Sequence, residues 1–396
     1  MPEETIGWFA AVDGGSEKHQ ACVLDARGGV AGEREFPHSG AGLTELADWV
    51  QSITGEAGVV AIAVEVPHGP VVDVLLDRGF MVHSINPKQL DRLRDRFSVA
   101  GAKDDRRDAY VAASGLHTDR HLFRRVQAAD PRITELREWS RLAEELKQER
   151  VRLGNRLHHQ IWRYYPQLLE LTDDVAADWF LDLWAIAPTP AKGEHLCKAA
   201  VEQLLKRYRI RRIDAEAVLR NLRQPAIKVA EGVAAAASVH IRSLIVRLHL
   251  VNRELRDAER KLDEFCASFE GDRQDDVAIL RSLPGIGRIN LATLLAEASG
   301  PLSRRDYPAL RTLSGVAPVT KRSGKSHIVI MRYAAHSRLR NAVYHWACAA
   351  VRHDPKSRCH DALNAKGNFG LHPLHGRMTA ISGRCHPVAW EPGSSA

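Results

Sequence analysis

The stretch Trp8-Phe9-Ala10-Ala11-Val12-Asp13-Gly14-Gly15-Ser16 begins as an unbroken apolar run and ends on an acid, two glycines and a serine. An apolar run of this length reads as a buried strand, at the start of a hairpin-rich sheet. The glycines turn the chain, and Ala21-Cys22-Val23-Leu24 follows as a second apolar strand, closed by Arg27-Gly28-Gly29. Helical periodicity covers residues 42–53, and Val59-Val60-Ala61-Ile62-Ala63-Val64 then forms another strand, ending on Glu65. A helix near residues 71–78 leads into a strand over residues 80–85, stopped by Asn86-Pro87.

Antiparallel strands followed by a βαβ unit are the plan of an RNase H-like α/β domain, expected here over residues 1–125. Two of its strands end on acids, Asp13 and Glu65. Two more acids, Asp105 and Asp108, stand three apart in Lys103-Asp104-Asp105-Arg106-Arg107-Asp108-Ala109, on one face of a helix. Acids at the ends of buried strands are costly unless a cation neutralises them. A pair of Mg²⁺ ions is the usual reason to gather four carboxylates, and it serves phosphodiester chemistry. Each acid also has a plainer reading: Asp13 in a turn, Glu65 solvated at a strand end, Asp105 and Asp108 paired with Arg106 and Arg107. Asp13-Gly14 also opens like a phosphate loop of sugar kinases and actins. That reading fails on the missing second phosphate loop. The joint placement of the four acids favours a metal site, and Arg92, Arg94, Arg96, Lys103, Arg106 and Arg107 suit a nucleic-acid backbone beside it.

The middle of the chain, residues 126–270, is expected to be helical, with long coiled-coil-like helices and a role in oligomerisation. Ile241, Leu244, Leu248, Val251, Leu255, Ala258, Leu262 and Phe265 fall at alternating spacings of three and four, a sustained heptad seam. Residues 130–170 carry Leu136, Trp139, Ala143, Leu146, Leu153 and Leu157, interrupted by Arg150. Two such helices fit an antiparallel pair within one chain, a coiled coil between chains, or both. Residues 175–227 read as helical, broken at Pro188 and Pro190.

Residues 271–360 are expected to form a mainly helical third domain. Leu283-Pro284-Gly285-Ile286-Gly287 between two apolar helices matches a helix-hairpin-helix, in which Gly285 and Gly287 would let backbone N–H groups approach a phosphate; an ordinary glycine helix C-cap is the alternative. Between residues 304 and 340 the cations Arg304, Arg305, Arg311, Lys321, Arg322, Lys325, Arg332, Arg338 and Arg340 face a single acid, Asp306, which marks a phosphate-facing surface. Ser323, between Arg322 and Gly324 with Lys325 close behind, could have its alkoxide stabilised and attack phosphorus, although on spacing alone a Ser-Gly turn is the dominant reading. A P-loop is excluded, because Val319 stands where its first glycine belongs. The segment 361–396, rich in Gly, His, Pro and Ser, reads as a loosely ordered tail.

With 396 residues the chain has room for several cores. A net charge of +7 leans toward a polyanionic partner. No apolar run approaches a membrane span in length, and the dispersed cysteines suit reduced thiols rather than zinc or a disulfide framework.

In these motifs the chain resembles the IS110 family of transposases, with its IS116 and IS902 relatives. The resemblance rests on Asp13, Glu65 and the 103–109 run, and resumes over Leu283–Gly287, Gly315-Val316-Ala317-Pro318 and Ser323-Gly324-Lys325. It implies a RuvC-like Asp-Glu-Asp-Asp domain binding Mg²⁺ and a C-terminal domain whose serine nucleophile is carried over onto Ser323. It further implies a composite active site drawn from different protomers of a homodimer or homotetramer, and a phosphoserine link to double-stranded DNA. A structured non-coding guide RNA is implied as a partner, in a cytoplasmic, nucleoid-associated prokaryotic protein. The family commonly has Thr where Asp104 stands here, and the spacing to Asp108 favours Asp105 as the third acid. After Glu65, Val66-Pro67-His68-Gly69-Pro70 replaces the common Thr-Gly turn. A water-using, RuvC-like nuclease and a non-catalytic nucleic-acid-binding copy are the alternatives.

Overall fold

The computed structural model describes residues 6–97, 104–128, 130–269, 271–324 and 326–358. Lys103, Lys325 and the expected tail from residue 361 lie outside the described residues. The chain parts into two compact units between residues 129 and 130.

The first unit is built on strands β1 (Trp8–Gly14), β2 (Lys18–Leu24), β3 (Val30–Pro37), β4 (Val60–Val64), β5 (Met81–Ser84) and β6 (Arg124–Arg125), in the order β3-β2-β1-β4-β5-β6. β1, β2 and β3 form an antiparallel meander, β4 runs parallel to β1 and β5 parallel to β4, and β6 closes the far edge antiparallel. β1 and β4 are central, as their unbroken apolar runs require. Helices α1 (Gly40–Thr54) and α2 (Pro70–Asp77) make the crossovers. They cover one face, burying Leu46, Ala47, Val50, Val72 and Leu75 against Ala10, Val12, Val60, Ile62 and Val64. Helices α3 (Pro87–Arg94) and α4 (Asp105–Thr118) cover the other, where Ala109, Val111, Ala112 and Ala113 meet Ala11, Cys22, Ala61 and Ala63. Small side chains on both sides bring α4 close to the sheet. The mixed α/β arrangement is consistent with the RuvC-like plan.

Among its described residues the second unit is helical apart from one hairpin. The long helices α5 (Pro131–Trp162) and α10 (Val233–Ala267) pack together. They run antiparallel, since Arg132 reaches the Ser268 carbonyl while Arg150 reaches Asn252. The expected seam of α10 is buried at Ile241, Leu244, Leu248, Val251, Ala258 and Leu262, and half-buried at Leu255 and Phe265. Arg150, the interruption in the α5 seam, donates through Nε to Asn252 Oδ1 at 2.8 Å and through Nη2 to Asp174 at 2.6 Å. By length and composition α10 is apolar enough to cross a membrane, unlike the expectation from sequence. Its apolar side instead faces the core of this unit, with exposed Arg242 and Arg247 opposite.

Between them lie α6 (Asp178–Ile186), α7 (Pro190–Glu194), α8 (Lys198–Arg207) and α9 (Ala215–Leu222). After α10 come α11 (Asp272–Arg281), α12 (Arg288–Glu297), α13 (Ser299–Ser303) and α14 (Tyr307–Leu313). Strands β7 (Val319–Ser323) and β8 (Ser326–Ile330) and helix α15 (Ser337–His353) follow. One apolar core runs from Ile133 on α5 to Ala350 on α15.

Candidate active site

Backbone register places the acids of the first unit. Val12 stands beside Val64 in the parallel β1–β4 pair, so Asp13 and Glu65 follow side by side at the same end of the sheet. Side chains alternate along a strand. Phe9 and Ala11, with Ala61 and Ala63, face α4, and Asp13 and Glu65 continue those two series. At the opposite end of β1, the Phe9 ring meets His117 near the end of α4, centroids 4.8 Å apart. From His117 back to Asp108 α4 rises about 13 Å, and from Phe9 to Asp13 β1 rises about 13 Å. Asp108 therefore comes level with Asp13, on the same face.

The four candidate acids differ in surroundings. Asp108 is buried in the first turn of α4, where an acid also meets the favourable end of the helix dipole. Arg94 at the end of α3 grips it with both arms, Nε to Oδ1 at 2.7 Å and Nη2 to Oδ2 at 3.0 Å. Glu65 and Asp105 are exposed, and Asp13 is half-buried. Asp104 caps α4, its Oδ1 accepting from the Arg106 N–H at 3.3 Å, and Asp105 opens the helix three residues before Asp108. Arg106 donates through Nε to Glu33 on β3 at 2.6 Å, while Arg107 is half-buried. Among the described residues no three acids, histidines or cysteines stand close enough to share one metal ion. The donor chemistry is nevertheless of the kind Mg²⁺ takes, an all-carboxylate set of hard oxygens, with the buried Asp108 neutralised here by Arg94. Sequence reasoning counted Arg94 among the backbone-binding cations. Its tie to Asp108 depends on α3 packing beside α4, and spacing carries no signal of that.

In the second unit Ser323 closes β7 and lies directly across from Ser326, which opens β8. Both are exposed, and Gly324 between them has φ +54°, a conformation that favours glycine. Register puts Lys321 and Ile328 on the face of Ser323, and Arg322 and His327 on the other. Lys321 and Arg322 are exposed and point a strong positive charge at whatever approaches the hairpin.

Four of the other cations of that region, Arg305, Arg332, Arg338 and Arg340, have structural partners, so the expected phosphate-facing surface narrows to the hairpin with exposed Arg304 and half-buried Arg311. Arg305 pairs with buried Asp276, and Arg338 donates to Glu144 Oε2 at 2.9 Å and to Glu297. Arg332 Nε donates to the Ala317 carbonyl at 3.2 Å, and Arg340 Nη2 to those of Arg332 and Tyr333 at 2.8 and 3.0 Å. Gly315, at φ +75°, leaves the room Arg340 needs, for a Cβ there would lie 3.0 Å from its Nε.

The glycine turn between α11 and α12 divides in the same way. Gly285 has φ +77°, and a Cβ on it would lie 2.6 Å from the Ala350 nitrogen of α15. Trp346 Nε1 donates to the neighbouring Pro284 carbonyl at 2.9 Å. Packing alone accounts for glycine at 285. Gly287, the N-cap residue of α12, has open space around it.

Residues 10–166 match the family model of IS110 DEDD transposases, described as "Transposase", and residues 277–361 match the "Transposase IS116/IS110/IS902 family" model. The chain is 54% identical over 209 residues to a Sinorhizobium fredii protein named "Putative transposase y4uE", a match covering 52% of this chain and 58% of that relative. It is 29% identical over 378 residues to the IS117 mini-circle protein of Streptomyces coelicolor, covering 91% of this chain and 88% of the relative. An uncharacterized 43.6 kDa protein of insertion element IS110, from the same organism, is 25% identical over 375 residues, covering 92% and 89%.

Proposed function

Because the chain belongs to the IS110 family of transposases, we propose that it cuts and rejoins double-stranded DNA through a covalent link to Ser323, assisted by the carboxylates of its first unit. The observation that supports this reading is that Asp13, Glu65 and Asp108 lie toward one end and one face of the sheet. Asp13, Glu65, Asp105 and Asp108 would hold Mg²⁺, which when bound favours the ionised attacking hydroxyl and neutralises the departing oxygen. Ser323 Oγ forms a bond to phosphorus, one P–O ester bond of the strand breaks, and the departing sugar oxygen takes up a proton as the hydroxyl loses one. The strand stays attached to the protein, so its ester energy is kept for rejoining. Lys321, on the same face as Ser323, and Arg322 behind it hold the phosphates, with Lys325 beside them in sequence. Gly287 offers its open backbone to a second stretch of phosphates in a helix-hairpin-helix contact. Gly285 holds that turn against α15, while Arg106 and Arg107 border the carboxylates.

The acids and the serine belong to different units, and the family resemblance supports joining them across protomers of a homodimer or homotetramer, with the long helices as the oligomerisation region. The same resemblance, with the net charge of +7, supports a structured guide RNA as partner. The test uses DNA carrying the element's ends, Mg²⁺ and denaturing gels. The wild type should give a protein–DNA adduct, and both Ser323→Ala and Asp108→Asn should lose it while still shifting DNA on native gels. Cleavage that persists in Ser323→Ala without an adduct would instead select a hydrolytic nuclease using water.

A further inference from the structure

Asp108 is one of the most deeply buried acids of the first unit, its side chain 3% exposed, and both of its oxygens are taken by Arg94. We propose that Arg94 is a displaceable counter-ion, filling the Asp108 end of the metal site until a divalent cation replaces it. This rests on the reading of Asp108 as a metal ligand. A carboxylate so buried stays charged only with a cation against it, and here the cation is the guanidinium. Guanidinium and divalent ion are alternatives, because both use the same oxygen lone pairs and repel one another at that range.

The exchange has a destination built into α3. Arg94 Nη1 also donates to Asp91 Oδ1 at 2.7 Å, one turn back on the same helix, and the Asp91 side chain is 64% exposed. The guanidinium can leave Asp108 toward solvent and keep an acidic partner there. Two neighbouring cations are already engaged elsewhere, Arg96 with Asp119 and Arg106 with Glu33. The same swing frees a guanidinium beside the site as the metal enters, so metal loading and the local positive charge rise together.

Mn²⁺ alone is the probe, with the full-length chain, calorimetric titration and thermal melts with and without the ion. Arg94→Ala should bind Mn²⁺ about ten-fold tighter or more than the wild type. Mn²⁺ should also raise its melting temperature further, since without metal this variant strands a buried charge. Arg94→Lys, a point charge without the two-armed grip, should fall between them. Equal or weaker Mn²⁺ binding by Arg94→Ala, together with a wild-type site that Asp108→Asn abolishes, would overturn the exchange and leave the metal reading intact. No Mn²⁺ binding by wild type or Arg94→Ala would overturn both.

Discussion

Replacing Glu297 with alanine should destabilise the second unit by about 2–3 kcal/mol. Glu297 closes α12 with a side chain only 6% exposed, and cations from two other helices converge on it. Arg338 hydrogen-bonds its Oε1, Arg137 Nε and Arg141 Nε stand 3.6 and 3.8 Å away, and His336 Nε2 lies at 3.5 Å. Removing one partner of a buried ion pair typically costs about 3–5 kcal/mol, because the other charge is stranded. Here the stranding is partial. Arg338 keeps Glu144 at 2.9 Å and Ser140 at 3.1 Å, Arg141 keeps Glu138 at 2.9 Å, and Arg137 keeps the Ala296 carbonyl at 3.2 Å. The reduced figure corresponds to a drop of about 5–10 °C in a thermal melt followed by circular dichroism. Glu297→Gln, which keeps an acceptor but loses the charge, should cost about half as much. A Glu297→Ala melt within about 1 °C of wild type would refute the hub. The hub ties α5, α12 and α15 together, and the hairpin carrying Ser323 joins α15 through residues 331–336, so adduct formation should fall with it.

Gly285→Ala should cost about 2 kcal/mol or more in urea unfolding, from its positive φ and the clash with the α15 backbone. Gly287→Ala should change stability by less than about 0.5 kcal/mol yet weaken DNA binding in mobility shifts, since its surroundings are open. The pKa of His336 is lowered, chiefly by burial, with Glu297 opposing the shift. As pH falls through the ordinary histidine value of 6.5, the unfolded chain therefore takes up its proton first, and stability present above that pH is lost below it. His336→Asn keeps a cap acceptor for α15 and removes this proton uptake, so its melting temperature should vary less between about pH 7 and 5 than that of the wild type.

The legible parts of the chain were those where local pattern and tertiary role coincide. Trp8–Val12 and Val59–Val64 read as buried strands because their runs are apolar throughout, and the seam from Ile241 to Leu262 is buried in the core of its own unit, one of the pairings the heptads allowed. The charges of the second unit were not legible in this way. Arg305 and Arg338 looked free within residues 304–340 because their acids, Asp276, Glu144 and Glu297, lie outside that window and come near only through packing. The hairpin did leave a signal: Val319-Thr320 and Ile328-Val329-Ile330 are β-branched runs flanking a Gly-containing turn. Asp13, Glu65 and Asp108 could be named from sequence, whereas the engagement of Asp108 by Arg94 required the α3–α4 packing.

The most direct test of the central claim is to map the covalent link itself. DNA carrying the element's ends is incubated with the wild-type protein and Mg²⁺, then digested with nuclease and protease, and the peptides are weighed by mass spectrometry. A nucleotide mass on the peptide containing Ser323, absent when the DNA or the metal is omitted, is the predicted result. Strand cleavage accompanied by an unmodified Ser323 peptide, or a nucleotide attached to a different residue, would contradict it.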